Sequence, residues 1–266
     1  MKKSEKIWLI TASFLVLAGL LLFSVAMTVN GWDFHKLSTV KYDTTIHEIH
    51  DDFSAVSVNT DTADLNFLLS EDGKCRVECF ESENEKYSVS AVNDKLCINV
   101  TDEFDFPKHI QISFHTPKIT VFLPKEQYTS LFVKESTGDI TVKNVSFKDV
   151  NLTVSTGNIN IENVKCENLV SDGNTGDLYL HKVVASQSID VERSTGNIYF
   201  EKCDAGEISV KTSTGDVSGV LLTGKIFDVK TSTGDIDVPK SATGGNCKIK
   251  TSTGDVKITI EETSVK

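Results

Sequence analysis

The chain has 266 residues, of which 39% are hydrophobic and 24% are charged, so it can bury the core of one sizeable domain. Its net charge is −11, and because residues 1–32 carry +2, the rest of the chain carries −13. A body this acidic argues against binding of nucleic acid and against broad contact with anionic lipid or anionic polymer.

An apolar segment near the N-terminus has the length of a membrane-spanning helix. Residues 7–32 contain no charged side chain, and the two tryptophans of the chain, Trp8 and Trp32, lie at the ends of this segment. Lysines occur within residues 1–6 and Asp33 follows the segment, so the positive-inside rule places residues 1–6 in the cytoplasm. We therefore predict one transmembrane helix over residues 7–32, with the rest of the chain outside the membrane.

A cleaved signal peptide is the alternative interpretation of this segment. Ser24-Val25-Ala26 has the small-x-small pattern of a cleavage site. The apolar run continues beyond this site to Val29, and Trp32 is typical of a residue anchored at a membrane interface, which favours a retained helix. Under either interpretation the body is exported, and the location we predict is the cell membrane with an extracytoplasmic body.

Residues 33–52 are polar and lack a strong pattern, so we predict a connector that leads into the folded body. His47 and His50 have the spacing of two metal ligands on one helix face. An alternating apolar pattern follows from Phe53, which indicates extended chain, and residues i and i+3 of a strand point to opposite faces. We therefore predict no metal site at the two histidines.

Residues 53–135 predict strands with irregular spacing. Residues 59–64 resemble the glycine bends described below, with Ala63 in the place of the glycine, and three prolines mark turns. This part is expected to open the β structure and to protect its first edge from aggregation. The predicted strands cover residues 55–58, 65–69, 75–80, 87–92, 96–100, 110–114, 119–123 and 128–133.

A four-residue motif then returns seven times. Its glycines are spaced 19 or 20 residues apart, which is the signature of a repeat protein. Apolar residues occur two and four positions after a glycine, and again seven and five positions before the next one, so each repeat predicts two short strands and two bends. The motifs are STGD at 136–139, STGN at 155–158, NTGD at 174–177, STGN at 194–197 and STGD at 213–216, 232–235 and 252–255.

Stacking of these repeats would bury a continuous apolar core that one repeat cannot bury alone. Equivalent strands that pair in parallel would lie about 4.8 Å apart, and glycine would supply the positive φ that a bend in every repeat requires. We therefore predict an all-β fold, a single parallel β-solenoid, whose regular part covers residues 136–260 in coils of about 19–20 residues. The last strand, Val256–Ile260, would be followed by a polar tail over residues 261–266, and the last coil would be an exposed edge or a surface for a partner strand.

Stacking would also align the residue after each repeat glycine into a ladder of carboxylates and amides. A divalent cation would relieve the repulsion among the carboxylates, but Asp and Asn are favoured at such bends in any case because their side chains accept nearby backbone N–H groups. The second interpretation is favoured, because the nonapeptide period of calcium-binding β-rolls is absent. Lys211, Lys230 and Lys250 are expected to neutralise the last aspartates. The ladder residues are Asp139, Asn158, Asp177, Asn197, Asp216, Asp235 and Asp255.

Six cysteines in an exported chain raise the question of disulfides. Cys203 and Cys247 fall at apolar offsets of the repeat, so buried thiols are predicted for these two. Cys166 falls in a different column from Cys203 and nearly two coils away, which is too far for a disulfide between them. The other three cysteines are Cys75, Cys79 and Cys97, and no set of histidines near them indicates a zinc site. One disulfide among these three is an alternative that the sequence does not decide.

No catalytic set is predicted. The chain contains no nucleophile elbow, phosphate-binding loop or zinc-protease motif, and three histidines, His109, His115 and His181, are isolated in the sequence. A polysaccharide lyase would need an aspartate cluster with an Arg or Lys base, and the two arginines, Arg76 and Arg193, lie in distant parts of the chain.

A sugar-binding face made from the Ser, Thr and Asp residues of the repeats is a further possibility. Such faces commonly display a row of exposed aromatic side chains, and Tyr179, Tyr199 and Phe200 are too few to make one. The sequence therefore indicates no cofactor site and no defined ligand site.

The order of these features resembles the bacterial putative-adhesin family of β-strand-repeat domains of unknown function. The resemblance covers about residues 53–260 and rests on the N-terminal membrane segment, FSAVSVNTDTADL from Phe53, ITVFLP at residues 119–124 and the serial STGD/N motif. It implies a cell-envelope protein with a β-helical repeat body, in some members encoded near envelope-stress genes, and it implies no catalytic residues. The six cysteines depart from the family pattern, because such exported repeats usually lack them.

These observations favour a non-enzymatic, membrane-anchored extracytoplasmic β-repeat protein that acts as an adhesin-like scaffold or binding surface in the bacterial cell envelope. The expected partner is an envelope protein or a glycan, and the acidic body argues against nucleic acid. One alternative is an envelope-stress accessory protein that docks on a membrane partner. A second alternative is a glycan-active β-helix enzyme.

Overall fold

A computed structural model of the chain describes residues 3–38, 40–83, 85–101, 115–240 and 243–261. It contains two compact units. The first comprises residues 1–41 and 104–115, and the second comprises residues 42–103 and 116–266. The strand predicted over residues 110–114 lies outside the described residues.

The first unit contains one long helix, α1 (Lys3–Val29), followed by a 3₁₀ helix over Phe34–Leu37. α1 ends because the chain turns back on it: Trp32, which has a positive φ, donates its backbone N–H to the Met27 carbonyl at 2.8 Å. Its large apolar side chains are exposed along the helix, and by length and composition Ser4–Val29 could cross a membrane. The prediction of one N-terminal apolar helix is therefore confirmed.

The described residues of the second unit form 18 strands in one mixed sheet that is nearly closed and barrel-like. The predicted strands between residues 55 and 133 are observed, apart from the one outside the described residues, whereas β1 lies in the segment expected to be a connector. The strands are β1 (Tyr42–Ile49), β2 (Ala55–Asn59), β3 (Asp64–Leu69), β4 (Cys75–Ser82), β5 (Lys86–Val92), β6 (Lys95–Thr101), β7 (Lys118–Leu123), β8 (Gln127–Thr137), β9 (Ile140–Lys143), β10 (Ser146–Thr156), β11 (Ile159–Thr175), β12 (Leu178–Thr195), β13 (Ile198–Thr214), β14 (Val217–Leu221), β15 (Lys225–Lys230), β16 (Ile236–Asp237), β17 (Gly245–Lys250) and β18 (Val256–Ile260).

Two parallel ladders run through this sheet, and in both of them residues one repeat apart are paired. Val150 faces Leu169 in one ladder, and Ile159 faces Leu178 in the other. Ladder A contains the strands that precede the repeat glycines, in the order β6, β2, β8, β10, β11, β12, β13, β17, β15. Ladder B contains the strands that follow them, in the order β7, β3, β9, β11, β12, β13, β14, β18, β16.

Antiparallel strands cover one end of each ladder. β5 pairs with β6 at the end of ladder A, and β4 pairs with β7 at the end of ladder B, where β1 in turn pairs with β4. The sheet is therefore mixed. The all-β class is confirmed, but a single parallel solenoid does not describe these covering strands.

The first and last repeats of the chain lie inside the ladders. β2 lies between β6 and β8, and β3 lies between β7 and β9. At the other end β17 lies between β13 and β15, and β18 lies between β14 and β16. The expectation that Val256–Ile260 forms an exposed edge is therefore wrong for Val256 and Lys257, which lie between β14 and β16. Residues 258–260 pair with β14 alone among the described strands.

In three repeats the second bend does not end the strand. β11, β12 and β13 are 17, 18 and 17 residues long, so each contains both of the short strands predicted for a repeat. The chain bends within or beside these strands at a non-glycine residue with positive φ, six positions after the glycine: Asn144, Asn163, Lys182 and Lys202. Asn tolerates this conformation better than most residues. The two asparagines were therefore the only indication of this second bend in the sequence, because Lys has no such preference.

The inward-facing residues of both ladders form one continuous hydrophobic cluster. Close stacking at the bends explains the glycines: Gly215 has φ 151°, and a Cβ atom there would overlap the carbonyl oxygen of Gly196 in the neighbouring repeat. Gly138 meets the Ala63 carbonyl in the same way. This contact confirms that residues 59–64 form a bend of the same kind, with Ala63 in place of the glycine.

Candidate functional site

The residues after the repeat glycines form a continuous hydrogen-bonded ladder. Asn158 donates its backbone N–H to Asp139 Oδ1 at 2.7 Å, and Asp177 donates to Asn158 Oδ1 at 2.9 Å. The same bond recurs at every step and begins at Asp64, which precedes the repeats. The order of acceptors is Asp64, Asp139, Asn158, Asp177, Asn197, Asp216 and Asp255, and the last donor is Asp235.

This geometry gives the ladder a structural role. One side-chain oxygen of each acceptor binds the backbone N–H of the neighbouring repeat, so the acidic and amide side chains connect successive bends instead of leaving all their oxygens to a cation. The predicted preference of these bends for Asp and Asn has this physical cause, although the donor lies in the next repeat. Among the described residues, no group of three His, Cys, Asp or Glu side chains is placed to hold a metal ion.

The sequence predicted that three repeated lysines neutralise the aspartates at the bends, and this prediction is wrong. Lys211 Nζ lies 2.5 Å from Glu192 Oε1, and Lys230 Nζ lies 3.6 Å from Asp228 Oδ1. Lys250 is paired in register between these two lysines in ladder A. The carboxylate partners of Lys211 and Lys230 therefore lie on the strands before the bend and not at the bend itself.

Two of the three aromatic residues considered for a sugar-binding face, Tyr179 and Tyr199, form a stacked pair. The rings of Tyr179 and Tyr199 stack with centroids 4.9 Å apart and planes inclined by 7°, and the Tyr179 hydroxyl donates to Asp177 Oδ2 at 3.0 Å. Phe200 points into the core and is buried. The two tyrosines cover each other's faces, so this surface lacks the row of open rings that a sugar-binding face commonly displays.

The histidines and arginines considered for catalysis are held by separate structural contacts. His181 Nδ1 lies 2.9 Å from Glu201 Oε2. Arg76 is held by Asp72 and Glu78, and its guanidinium lies 4.0 Å from the centre of the Phe122 ring. His47 lies on β1 and His50 follows it, whereas His109 is outside the described residues. The described histidine that pairs with a carboxylate, His181, therefore contacts Glu201 and not the carboxylates that hold Arg76.

All six cysteines are free, so the disulfide left open among Cys75, Cys79 and Cys97 is not formed. Burial raises the pKa of Cys75 to about 11 and the pKa values of Cys79 and Cys166 to about 12, so these thiols stay protonated and unreactive. Cys203 and Cys247 are also buried, as their apolar offsets predicted.

A buried carboxyl group, Glu135, was missed by the sequence analysis. Its oxygens accept hydrogen bonds from the Thr60 hydroxyl and from the backbone N–H groups of Ala63 and Thr137, the last two at 3.3 Å. Burial outweighs these donors and raises the pKa of Glu135 to about 7, with Asp61 acting in the same direction. Its position in the repeat could have indicated that it is buried. Glu135 lies three residues before a repeat glycine, and the residue at this offset faces inward.

Arg193 occupies the same inward offset and is also buried. Its Nη2 donates to the Ser171 hydroxyl at 2.9 Å, and its guanidinium fills the space that a Cβ atom on Gly173 would occupy. Burial lowers the pKa of Arg193 to about 10. Ser171 and Gly173 therefore make room in one repeat for the arginine of the next.

The second unit contains a cleft of about 630 Å³. It lies between residues 48–53, the turn at residues 72–76 and a third segment that includes Lys125 and Tyr128. Two of its three lysine and arginine side chains are paired, because Arg76 binds Asp72 and Lys125 Nζ lies 3.2 Å from Asp52 Oδ1. The third, Lys74, lies in the same cleft beside Asp72. The cleft has the volume of a small-molecule site, but its paired charges select no particular ligand charge.

Comparisons with solved structures find similar β folds. A crystal structure described as a putative adhesin from Bacteroides fragilis is 20% identical, covers 82% of this chain and 97% of its own, and has a TM-score of 0.56. A putative lipid binding protein from Parabacteroides distasonis is 14% identical, with coverages of 85% and 98% and a TM-score of 0.47. A putative cell adhesion protein from Clostridium sporogenes is 12% identical, with coverages of 83% and 100% and a TM-score of 0.39.

At these identities the first likeness establishes a shared fold and leaves function open, and the other two fall below a TM-score of 0.5. No curated protein sequence matches the chain. The family model described as Toastrack DUF4097 matches residues 53–266, which include every strand from β2 to β18. The resemblance noted in the sequence is thereby confirmed, and the chain belongs to the Toastrack DUF4097 family.

Proposed function

We propose that this protein is a non-enzymatic, single-pass membrane protein whose β body lies outside the cytoplasmic membrane and binds a component of the cell envelope. The observation that carries the proposal is α1, a helix with exposed apolar side chains that precedes a body of the Toastrack family. An adhesin-like role is consistent with the description of the Bacteroides fragilis relative in fold.

We also propose that the repeats act as coils of a parallel solenoid, which presents a regular outer surface to this partner. In-register pairing of residues 19 or 20 positions apart along ladders A and B supports this arrangement. Polar and charged side chains alternate outward along these strands, so the surface suits a polar partner such as a glycan or an envelope protein.

Membrane topology is testable with single reporter thiols in the Cys97→Ser background. Val92 is exposed on β5, so Val92→Cys in intact spheroplasts should react with a membrane-impermeant maleimide. Ser4→Cys, at the start of α1, should react only after the cells are lysed. The reverse labelling pattern, or a body found in the soluble fraction of the cytoplasm, would overturn the proposal.

Binding is testable with the full-length protein purified in detergent. Retention on purified cell wall or on host glycans would favour adhesion, whereas a stoichiometric membrane protein in a pull-down from solubilised membranes would favour the accessory role in envelope stress. Cleavage of a glycan in a screen with calcium would contradict the non-enzymatic proposal. Failure to bind any of these components would contradict a role as a binding surface.

A further inference from the structure

A pattern that a signal peptidase recognises lies inside α1. The small-x-small pattern Ser24-Val25-Ala26 occupies the last two turns of this helix, and the enzyme would hydrolyse the bond between Ala26 and Met27. α1 would then be removed as a signal peptide, and the body would be released from the membrane. Retention of α1 therefore requires that this bond stay intact.

Depth in the membrane does not by itself protect this bond. Ala26 lies 19 residues after Ile7, the first residue of the uncharged segment, which corresponds to about 29 Å along a helix axis. The hydrocarbon core of a bilayer is about 30 Å thick. Ala26 therefore lies near the outer boundary of the hydrocarbon core, where a peptidase embedded in the same membrane can reach it.

Two side chains hold the carbonyl groups of the pattern in helical geometry. The Thr28 hydroxyl donates to the Ser24 carbonyl at 2.8 Å, and the Asn30 side-chain amide donates to the Ala26 carbonyl at 2.8 Å. The backbone N–H of Asn30 donates to the same Ala26 carbonyl at 3.1 Å. A peptidase binds its substrate as an extended chain, so this end of α1 must unfold locally before the bond can be hydrolysed.

The bond is also covered. The chain after α1 turns back along the helix, and the ring of Phe34 lies 6.4 Å from the ring of Phe23. Met27, which follows the bond, is 0% exposed, whereas Val25 and Val29 are 54% and 80% exposed. Burial in this part of α1 is therefore concentrated beside the bond that the enzyme would attack.

We propose that residues 28–34 form a cap that conceals a signal-peptidase site, and that α1 is retained as an anchor because this cap is closed. In the open form, hydrolysis with one water molecule would leave a carboxylate on Ala26 and an amino group on Met27, and would release the body. The rate of cleavage then follows the population of the open form. This inference rests on the proposed location of the body outside the cytoplasm, since signal peptidases act on that side of the membrane.

The test is the processing of the full-length protein in bacterial cells, measured by intact mass and by the distribution of the body between membrane and soluble exported fractions. The wild type should be uncleaved and membrane-bound. Asn30→Ala combined with Phe34→Ser removes two contacts of the cap and should raise the cleaved fraction by about tenfold or more. Thr28→Gly combined with Asn30→Gly weakens the same turn of the helix by another route and should have the same effect.

Two controls show that cleavage occurs at this site. The Ser13 hydroxyl donates to the Leu9 carbonyl at 2.9 Å in an earlier turn of α1, so Ser13→Ala removes an equivalent bond away from the cap and should leave the chain uncleaved. Ala26→Leu, added to either cap variant, removes the small residue that the enzyme requires and should abolish cleavage.

The outcomes separate this inference from the proposed topology. A wild type cleaved after Ala26 would overturn the inference and would leave the export of the body intact. Cap variants that both stay uncleaved would also overturn it, if Val92→Cys in the same cells still reacts with the impermeant maleimide. An unreactive Val92→Cys would overturn the proposed location of the body and this inference with it.

Discussion

At the scale of single residues, the repeat glycines satisfy two separate constraints. The sequence predicted the first, a backbone conformation with positive φ. The second is the close approach of successive bends, at which a side chain on Gly215 would overlap the Gly196 carbonyl. Gly73 has φ 70° but no heavy atom within 4 Å of the place where its Cβ would lie, so this glycine meets the first constraint alone.

Alanine substitutions should separate these two constraints. Gly73→Ala should cost about 1 kcal/mol of unfolding free energy, which is the strain of a left-handed non-glycine residue. Gly215→Ala should cost about 3 kcal/mol or more, because its methyl group must also displace a backbone carbonyl. Denaturant unfolding of both variants measures the difference. Equal losses would mean that the bends do not stack as closely as described.

Glu135 should make stability depend on pH. Because its pKa is raised to about 7 in the folded state, the folded protein prefers the protonated form. The stabilisation is complete below the unfolded pKa, near 4.5, and is lost as the pH rises to about 7. Glu135→Gln should therefore gain up to about 3 kcal/mol relative to the wild type between these pH values.

Urea unfolding of both proteins from pH 4 to pH 8 measures this difference. Glu167, whose side chain is 41% exposed, provides the control, and the pH dependence assigned to Glu135 is the part of its profile that exceeds the profile of Glu167→Gln. A flat difference for Glu135→Gln would show that the carboxyl group is ionised in the folded protein.

Arg193 and Gly173 should be energetically coupled. Gly173→Ala should destabilise the protein, because the new methyl group would overlap the Arg193 guanidinium. Arg193→Thr introduces the residue found at this offset in three other repeats, at Thr212, Thr231 and Thr251. It should remove the part of the cost that comes from the guanidinium, whereas the close contact of the new methyl group with the Val154 carbonyl remains. A double-mutant cycle should give a coupling energy of about 1–3 kcal/mol. Additive effects would contradict the described packing.

At the scale of elements, the main result is that the order of strands in the ladders departs from their order in the chain. Val256 on β18 is enclosed between β14 and β16, whereas β16, which carries Ile236, pairs with β18 alone among the described strands. Both residues lie two positions after the glycine of an STGD motif. Their different environments therefore arise entirely from the order in which the strands pair.

Substitution by aspartate at these equivalent positions tests the order directly. Val256→Asp should cost more than about 3 kcal/mol, because it buries a charge in the core. Ile236→Asp should cost less than about 1 kcal/mol, since that side chain reaches solvent. Thermal unfolding measures both. If the strands followed chain order, β18 would be the edge and the two effects would be reversed.

At the scale of the whole molecule, one continuous core protects most of the thiols from reaction. Five of the six cysteines are buried, and Cys97 is partly exposed. A thiol reagent should therefore label the native protein at one site per chain at most, and Cys97→Ser should abolish that labelling. Unfolding in denaturant should expose all six thiols. Rapid labelling of the native Cys97→Ser variant would show that the core opens locally.

Several properties of this protein could be determined from the sequence alone. The spacing of the glycines set the repeat, and the fixed offsets of the apolar residues identified which side chains, such as Cys203 and Ile198, face the core. The bend at Ala63 was also predicted without its glycine. These properties are local, because a strand of period two and a bend with positive φ leave their pattern within a few consecutive residues.

Only the tertiary structure decided the order of the repeats, the antiparallel strands at one end and the burial of Glu135 and Arg193. The physical reason is that these properties depend on pairing between segments far apart in the chain. The motifs at residues 232–235 and 252–255 have the same letters and the same offsets, so either could pair beside residues 213–216. Which one does so follows from the packing of the whole core, and that choice makes β15 and β16 the outermost described strands of the two ladders.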